Sequence, residues 1–273
     1  MKRREFVSVA ALAAIGTPLV RSTELTGAEH AKWQPAGVGS FARIGVLTPD
    51  DDPVPESEMW TMATRGLSIH AARVVWNHDA AAFAQPPQVD DATELLARLK
   101  PRAIVYAFTS SSYALGAVAD EPLRLRLEKR AGGVPVILTC QAATEALRLL
   151  QALRLALIQP PWFSEEVTTK GRDYFRSQWF DVALCDRLTP ARPFTEVAPS
   201  ELYDWVRGNV PRQAQAVFIA GNGLRAIGTI QPLEHGLGKP VITANQVCLW
   251  KALQLVGSTS VPTQYGRIFT LPR

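Results

Sequence analysis

The stretches AIVYAFTSSS (residues 103–112) and AVFIAGNGLR (residues 216–225) decide the fold of this chain. Each begins with a short apolar run that predicts a buried strand, and each continues into hydroxyl, amide or glycine residues that predict a turn into a helix. In open α/β sheets, ligands bind beyond the carboxyl ends of the strands, which is where both turns lie. Since the stretches lie about half a chain apart, we expect two similar lobes that face each other across a shared cleft.

Apolar runs and helical segments alternate along the rest of the chain, which predicts mainly parallel sheets flanked by helices, an α/β fold with two pseudo-symmetric lobes. Helix starts are predicted at Asp120, Ser164 and Ser200, which each precede glutamate. We expect the first lobe to span residues 42–145, with residues 245–273 returning to it, and the second lobe to span residues 146–244. The predicted strands are residues 43–48, 72–76, 103–108, 134–138, 155–158, 182–185, 216–220 and 240–243.

The composition is that of an ordinary globular protein, with 273 residues, 47% hydrophobic residues and a net charge of +4. No block of Lys and Arg with interleaved aromatic residues occurs in the body of the chain, so no nucleic-acid partner is expected. The three cysteines are widely spaced, and the sequence contains no nucleotide-binding or zinc-binding motif. We therefore predict no cofactor and no metal site.

The N-terminus has the pattern of a targeting signal. Adjacent arginines, Arg3 and Arg4, precede a mildly apolar segment at residues 7–16 that is too short to span a membrane. This pattern resembles a twin-arginine export signal, and we place it at residues 1–28. It predicts a periplasmic or exported protein without a stable membrane span after signal removal, or a cytoplasmic protein if the signal is not functional.

Several segments in a fixed order resemble the Asp/Glu racemase superfamily, in its maleate isomerase and arylmalonate decarboxylase branch. Besides the two opening stretches, the second of which ends with the matching residues 224–225, they are residues 44–49, 238–246, 249–253 and 265–269. The resemblance covers the chain from about Arg43 to Phe269 and implies the racemase fold. It also implies a cofactor-independent isomerase, racemase or decarboxylase that acts on a small carboxylate or amino acid.

The resemblance also indicates which loop residues contact a ligand. In the family, a cysteine usually lies at one or both of the positions held here by Phe108 and Gly221, and neither of these has a side-chain proton to exchange. The catalytic residues are therefore unknown, while the loop hydroxyls and amides still fit a carboxylate. The expected substrate-binding residues are Thr109, Ser110, Ser112, Asn222, Gly223 and Asn245.

Further cleft candidates lie in neighbouring loops. Residues 50–52 are three aspartates after the first strand, where they would repel a dicarboxylate and favour an amine or another cation, although such Asp/Pro clusters are more often solvated turns. Of the three, Asp50 and Asp51 are the candidates for the cleft. Trp162 lies in the loop where the family places a tyrosine, and would form an apolar wall. Cys140 is expected at the end of a strand, either as a relocated thiol or, more commonly, as a buried apolar residue.

Three functions remain open at this stage. The first is an enzyme of the resembled type that uses a base other than the usual thiols. The second is a non-catalytic periplasmic protein that binds or senses a small carboxylate. The third is a hydrolase or lyase with Asp50 or Asp51 as base. Neither the substrate nor the oligomeric state follows from the sequence, and a homo-oligomer is compatible with it.

Overall fold

The computed structural model describes residues 37–189 and 197–271. The predicted signal peptide, residues 1–28, lies outside these residues. The strands are β1 (Ala42–Pro49), β2 (Leu67–Val74), β3 (Ala103–Tyr106), β4 (Val136–Leu138), β5 (Arg154–Gln159), β6 (Asp181–Arg187), β7 (Ala216–Ile219) and β8 (Val241–Thr243). The helices are α1 (Val54–Met62), α2 (Ala80–Phe83), α3 (Gln88–Ala97), α4 (Thr109–Leu115), α5 (Ala117–Arg130), α6 (Thr139–Leu149), α7 (Glu165–Ser177), α8 (Pro199–Asn209), α9 (Ile230–Leu237) and α10 (Ala244–Leu255).

The eight strands of the described residues form two four-stranded sheets. The first sheet has the order β2-β1-β3-β4 and the second has the order β6-β5-β7-β8, and every pairing within them is parallel. The second sheet repeats the strand order of the first, so each lobe is one copy of the same topology. The predicted α/β fold with two pseudo-symmetric lobes is confirmed.

Alternate residues of the central strands face two different cores, because side chains alternate across a strand. In β3, Ala103 and Val105 face a central core that both lobes share, whereas Ile104 and Tyr106 face the outer core of the first lobe. Phe218 of β7 enters the same central core from the second sheet. The lobes are therefore joined by a continuous apolar interior, in which α6 and α10 pack against each other.

The last long helix connects the lobes. Helix α10 follows β8 of the second sheet, yet it packs against α6 and α1 of the first lobe. Thr243 caps its N-terminus, where its hydroxyl accepts a hydrogen bond from the Gln246 amide, and the Gln246 side chain bonds back to the Thr243 N–H. This capping box starts the helix immediately after the strand, which places residue 245 between the two lobes.

Some predicted boundaries were wrong. The second strand is Leu67–Val74 rather than residues 72–76, because pairing with β1 extends its start through the polar residues Ser68 and His70. Most other strand ends differ from prediction by one or two residues at the turns. The first and last residues of a strand are set by its pairing with the neighbouring strand. A polar residue inside a paired strand therefore makes the start of that strand hard to predict from the apolar pattern.

The helix starts show one success and two corrections. Ser164 caps α7 as predicted, with its hydroxyl accepting from the Val167 N–H at 3.2 Å. Helix α8 begins at Pro199, ahead of Ser200. Helix α5 begins at Ala117, so Asp120 is a buried residue inside its first turn and not an N-cap. A glycine at the junction, Gly116 with φ +79°, separates α4 from α5 and moves this start.

None of the helices within the described ranges is long and apolar enough to cross a bilayer.

Candidate functional site

A cavity of about 1030 Å³ opens where the carboxyl ends of strands from both sheets meet. From the first lobe it is lined by residues that follow β1, β2 and β3, and from the second lobe by residues that follow β5 and β7. We call this cavity the cleft. Both loops that the sequence singled out, at Phe108 and at Gly221, contribute to its lining. The position is the one where parallel α/β sheets bind ligands.

The first loop presents an aromatic wall to the cleft. The ring of Phe108 packs edge-on against Trp76, with centroids 4.9 Å apart, and lies tilted against Phe83 at 4.2 Å. Phe108 and Trp76 both line the cleft. The side chain at the first expected cysteine position is therefore supported by its own lobe, and it supplies apolar surface where the resemblance places a thiol.

The second loop leaves no space for a side chain at its first glycine. Gly221 has φ +83°, and a Cβ added there would lie 2.1 Å from Cγ of Pro160. L-residues rarely adopt this backbone conformation, and a carbon contact of 2.1 Å cannot be accommodated without moving the proline. The second expected cysteine position is thus closed both by its backbone and by the Pro160 ring.

Asn222 ties the two loops together across the lobes. Its Oδ1 accepts hydrogen bonds from the Thr109 N–H at 3.0 Å and from the Thr109 hydroxyl at 2.7 Å. Its Nδ2 donates to Oδ1 of Asn245 at 3.0 Å. All three side chains are buried. The donors of Thr109 and the amide of Asn222 are therefore already engaged with each other, and we call this group the Asn222 hub.

The hub continues to a buried glutamate that the sequence did not indicate. Nδ2 of Asn245 donates to Oε2 of Glu58 at 2.9 Å, while Oε1 of Glu58 accepts from the N–H groups of Ala226 and Ile227 at 2.7 and 3.1 Å. Burial raises the pKa of Glu58, and these hydrogen bonds oppose the rise. Glu58 and Asn245 lie behind the cleft lining and hold the lobes together.

Two expected binding residues and one further cleft candidate lie in the cleft lining outside the hub. Ser110, Gly223 and Trp162 line the cavity. The Ser110 hydroxyl forms no hydrogen bond to any of the described residues, so it is available to a ligand. Trp162 is 41% exposed and lines the cavity from the second lobe, whereas Phe108 lines it from the first. Trp162 therefore supplies apolar surface to the cleft lining.

Ser112 lies outside the cleft lining, in contrast to expectation. Its hydroxyl donates to Oδ1 of Asp120 at 2.8 Å, and the Tyr174 hydroxyl donates to Oδ2 of the same carboxyl at 2.6 Å. Tyr174 belongs to α7 of the second lobe, so Asp120 bridges the lobes beneath the first loop. Burial raises the pKa of Asp120 to about 6, against the lowering effect of both hydrogen bonds.

The thiols are all outside the cleft lining. Cys140 lies in the first turn of α6, one residue after that helix begins, and not in a strand. It is buried, with Sγ 3.8 Å from the carbonyl oxygen of Thr109, and burial raises its pKa well above the ordinary value. Burial also raises the pKa of Cys248 to about 12 and raises the pKa of Cys185. Thiolates are therefore disfavoured at all three positions.

The aspartates in the loop after β1 do not all line the cleft as expected. Asp50 lies outside the cleft lining, and its Oδ1 accepts from the Trp76 N–H at 2.9 Å. Asp51 lines the cleft but is exposed. Asp52, which was not among the predicted cleft residues, also lines the cleft and is partly buried. The three consecutive aspartates look alike in the sequence, and only the direction of each side chain distinguishes them.

Charged groups of both signs lie at the edge of the cleft. Arg225 follows the second loop, and Lys170 of α7 pairs with Glu166 at 2.7 Å. Both cations can approach an anionic ligand. Within residues 37–189 and 197–271, no group of three His, Cys, Asp or Glu side chains is arranged to hold a metal ion.

Comparisons with known proteins agree with this architecture. A protein-family model described as arylmalonate decarboxylase matches residues 56–269, which is most of the chain. No curated protein sequence matches the chain.

Solved structures of two kinds of enzyme share the fold. A crystal structure of arylmalonate decarboxylase aligns with a TM-score of 0.69 at 19% identity, over 84% of this chain and 100% of that one. Maleate isomerase Iso from Pseudomonas putida S16 aligns with a TM-score of 0.73 at 20% identity, over 85% and 98%. A Cys-to-Ser variant of Nocardia farcinica maleate cis-trans isomerase, with a covalently bound succinylcysteine intermediate, aligns with a TM-score of 0.75 at 20% identity, over 85% and 98%. At these identities the similarity establishes the fold.

Proposed function

The chain belongs to the arylmalonate decarboxylase family, and from this premise we propose that it is a cofactor-independent decarboxylase or isomerase of small carboxylates. The reaction takes place in the cleft between the two lobes, without the cysteines that the resemblance leads one to expect. The observation that carries the proposal is the cleft itself, because both family-like loops line it from opposite lobes.

The chemistry of the second loop supports a carboxylate ligand. Removing CO₂ or a proton next to a carboxylate leaves negative charge on oxygen, which has to be stabilised by preorganised donors. The N–H groups of Asn222 and Gly223 bond no acceptor in the described part of the chain, and both residues line the cleft. Together with the Ser110 hydroxyl, they can donate to the oxygens of a bound carboxylate.

The walls and size of the cleft support an apolar substituent on that carboxylate. Its volume of about 1030 Å³ is at the upper end of the range for small-molecule sites and far exceeds the need of a four-carbon diacid. Phe108 and Trp76 pack together in the lining of the first lobe, and Trp162 lines the cleft from the second lobe. Arg225 can balance a second negative charge at the edge. We therefore favour a carboxylate that carries an aromatic or similarly bulky group.

The test is proton NMR of the protein in D₂O with phenylmalonate, maleate, aspartate, glutamate and a hydantoin. Loss of an α-proton signal, isomerisation or release of CO₂ identifies an enzyme and its substrate class. Ser110→Ala weakens the interaction with the active compound, whereas Ser57→Ala, a change in α1 outside the cleft lining, leaves it unchanged. The absence of both binding and conversion for every compound would contradict the proposal.

A second candidate is a non-catalytic protein that binds or senses a small carboxylate. Phe108 and Gly221 support it, since neither provides a proton at the expected cysteine positions, and the three thiols lie outside the cleft lining. Line broadening of one compound in the same NMR experiment, without any conversion, would favour this candidate over the enzyme.

We keep export to the periplasm as part of both candidates, on the basis of Arg3, Arg4 and the short apolar segment after them. Fractionation of cells that express the full chain, beside an Arg3→Lys and Arg4→Lys double variant, tests it. Cytoplasmic retention of both forms would contradict export.

A further inference from the structure

Asp52 holds a fixed carboxyl group where the two lobes meet at the cleft. It lies in the turn between β1 and α1 and lines the cleft. Its Oδ1 accepts a hydrogen bond from the Val54 N–H at 3.0 Å. Its Oδ2 lies against Gly223 of the opposite lobe, because a Cβ added to that glycine would be only 2.9 Å from this oxygen. Because residue 223 is a glycine, the carboxyl group of Asp52 has space to lie beside the second loop.

The other acidic groups of the cleft are engaged elsewhere or exposed. Asp79 caps α2, where its Oδ1 accepts from the Ala81 and Ala82 N–H groups at 2.9 and 3.0 Å. Glu166 is paired with Lys170. Asp51 is exposed. Asp52 differs from all of them because it is partly buried, held in one direction, and has an Oδ2 that no described residue hydrogen-bonds.

Its surroundings also shift its protonation towards the acid form. Burial raises the pKa of Asp52, the Val54 N–H lowers it, the charge of Asp51 raises it, and the guanidinium of Arg73 lowers it, with the rise prevailing. A larger fraction of this carboxyl group is therefore protonated at a given pH than for an ordinary aspartic acid. A proton donor requires this property.

We infer that Asp52 is the proton donor of the cleft and delivers its proton to the α-carbon of a substrate that has lost one carboxylate as CO₂. The inference rests on the proposed function. The bond between the α-carbon and the leaving carboxylate breaks, and its electron pair stays on the α-carbon, delocalised into the retained carboxylate as an enediolate. The O–H bond of Asp52 then breaks, and the proton forms the new C–H bond. Asp52 is left as a carboxylate and regains its proton from water.

The first experiment measures decarboxylation of phenylmalonate to phenylacetate by the full chain. Asp52→Asn lowers kcat by about 100-fold or more, in line with the usual effect of a general acid. Binding of phenylacetate, measured by ligand NMR, changes less than about threefold, because the amide keeps the shape of the side chain. Asp204→Asn is the matched control: it makes the same chemical change at an exposed residue of α8, outside the cleft lining, and keeps the wild-type rate.

A second variant tests the same carboxyl group without changing its charge. Gly223→Ala places a Cβ against Oδ2 and forces the carboxyl group to move, so kcat falls while residue 52 stays intact. Gly228→Ala, where a Cβ meets nothing within 4 Å, is its control and keeps the wild-type rate. If a circular dichroism melt shows that Asp52→Asn does not fold, the comparison of Gly223→Ala with Gly228→Ala still tests the role of Asp52.

The pH dependence gives an independent signature. Because the protonated form is the donor, kcat falls as the pH rises through the pKa of Asp52, and the residual rate of Asp52→Asn lacks this alkaline limb. Retention of the limb in that variant would assign it to another group and overturn the inference. His78 also lines the cleft. A matching loss of kcat in Asp51→Asn or His78→Asn, with Asp52→Asn fully active, would do the same.

The remaining outcomes separate the inference from the proposed function. Turnover that is equal in the wild type and Asp52→Asn overturns the role of Asp52 and leaves the proposed function standing. A loss expressed only in KM identifies a binding anchor and also overturns the role as donor. Binding of phenylmalonate by the wild type without conversion overturns both the donor and the catalytic form of the proposed function.

Discussion

The two loops of the cleft occupy equivalent places in the two lobes, but they fill those places in opposite ways. At the first loop, Phe108 extends into the cleft and leans on the aromatic side chains of its own lobe. At the second loop, Gly221 has no side chain, and the Pro160 ring occupies the space that one would need. Equivalent topology therefore does not make two positions equally able to carry a reactive group, since the neighbouring loops decide how much space remains.

The contacts that join the lobes differ in a similar way. The second loop is joined to the first lobe by the Asn222 hub, which consists of neutral amides and hydroxyls. Beneath the first loop, the lobes are joined through Asp120, a buried carboxyl group that can gain or lose a proton. We expect the first contact to be independent of pH and the second to vary with it.

The largest effect is expected where the second loop is changed. Gly221→Cys lowers the free energy of unfolding by about 4 kcal/mol, because the new Cβ meets Pro160 and the positive φ disfavours an L-residue. Urea denaturation measures it. Gly208→Cys, in α8 with nothing within 4 Å of an added Cβ, is the control and stays close to wild type. If Gly221→Cys were as stable as wild type, position 221 would accept a side chain as readily as position 108, and the contrast between the two loops would be wrong.

Removal of the hub is expected to have the next largest effect. Asn222→Ala lowers the free energy of unfolding by about 3 kcal/mol, because the N–H and hydroxyl of Thr109 and Oδ1 of Asn245 lose a partner while they remain buried. Chemical denaturation at several pH values checks this, and the loss should be the same at each. Asn209→Ala, at an exposed amide at the end of α8, changes stability much less. A loss that varies with pH would contradict a neutral contact.

Asp120 provides the pH-dependent counterpart. The folded protein raises its pKa from the ordinary 3.8 to about 6, so the folded state binds the proton more tightly than the unfolded state. The resulting stability is fully present below pH 3.8 and is lost as the pH rises through about 6, a change of up to about 3 kcal/mol. Asparagine cannot ionise. The Asp120→Asn variant is therefore more stable than wild type above pH 7, where Asp120 is ionised, and is no more stable than wild type at pH 3. Denaturation midpoints across this range measure the difference, and an unchanged slope in the variant would contradict it.

The smallest effect is expected at the first loop. Phe108→Cys lowers the free energy of unfolding by about 2 kcal/mol, about half the effect of the same residue at position 221, because Phe108 is only partly buried and its removal creates no clash. Its thiol faces the cleft and reacts with a thiol reagent in the folded protein. Wild type, with Cys140 and Cys248 buried and Cys185 partly buried, reacts more slowly. A variant no more reactive than wild type would show that the first loop is closed as well.

Much of the site could be predicted from local patterns, and the exceptions share a physical cause. The short apolar runs followed by small polar residues predicted both loops, because strand burial and turn chemistry depend on neighbouring residues. Asp52, Glu58 and Asp120 were not identified as site residues. Each is an ordinary acidic residue in its own segment, and it is distinguished only by burial and by partners far along the chain, such as Asn245 for Glu58.

The sequence by itself determined the alternation of strands and helices, the two repeated strand–turn–helix units and the family resemblance. These follow from the spacing of apolar residues, which acts over a few residues at a time. Only the tertiary structure decided that Thr109 and Asn222 engage each other, that Pro160 closes position 221, and that Asp52 faces the cleft while Asp50 does not. Space, hydrogen-bond partners and proton affinity at a site are set by groups that approach from distant parts of the chain, so they exist only once the lobes have packed together.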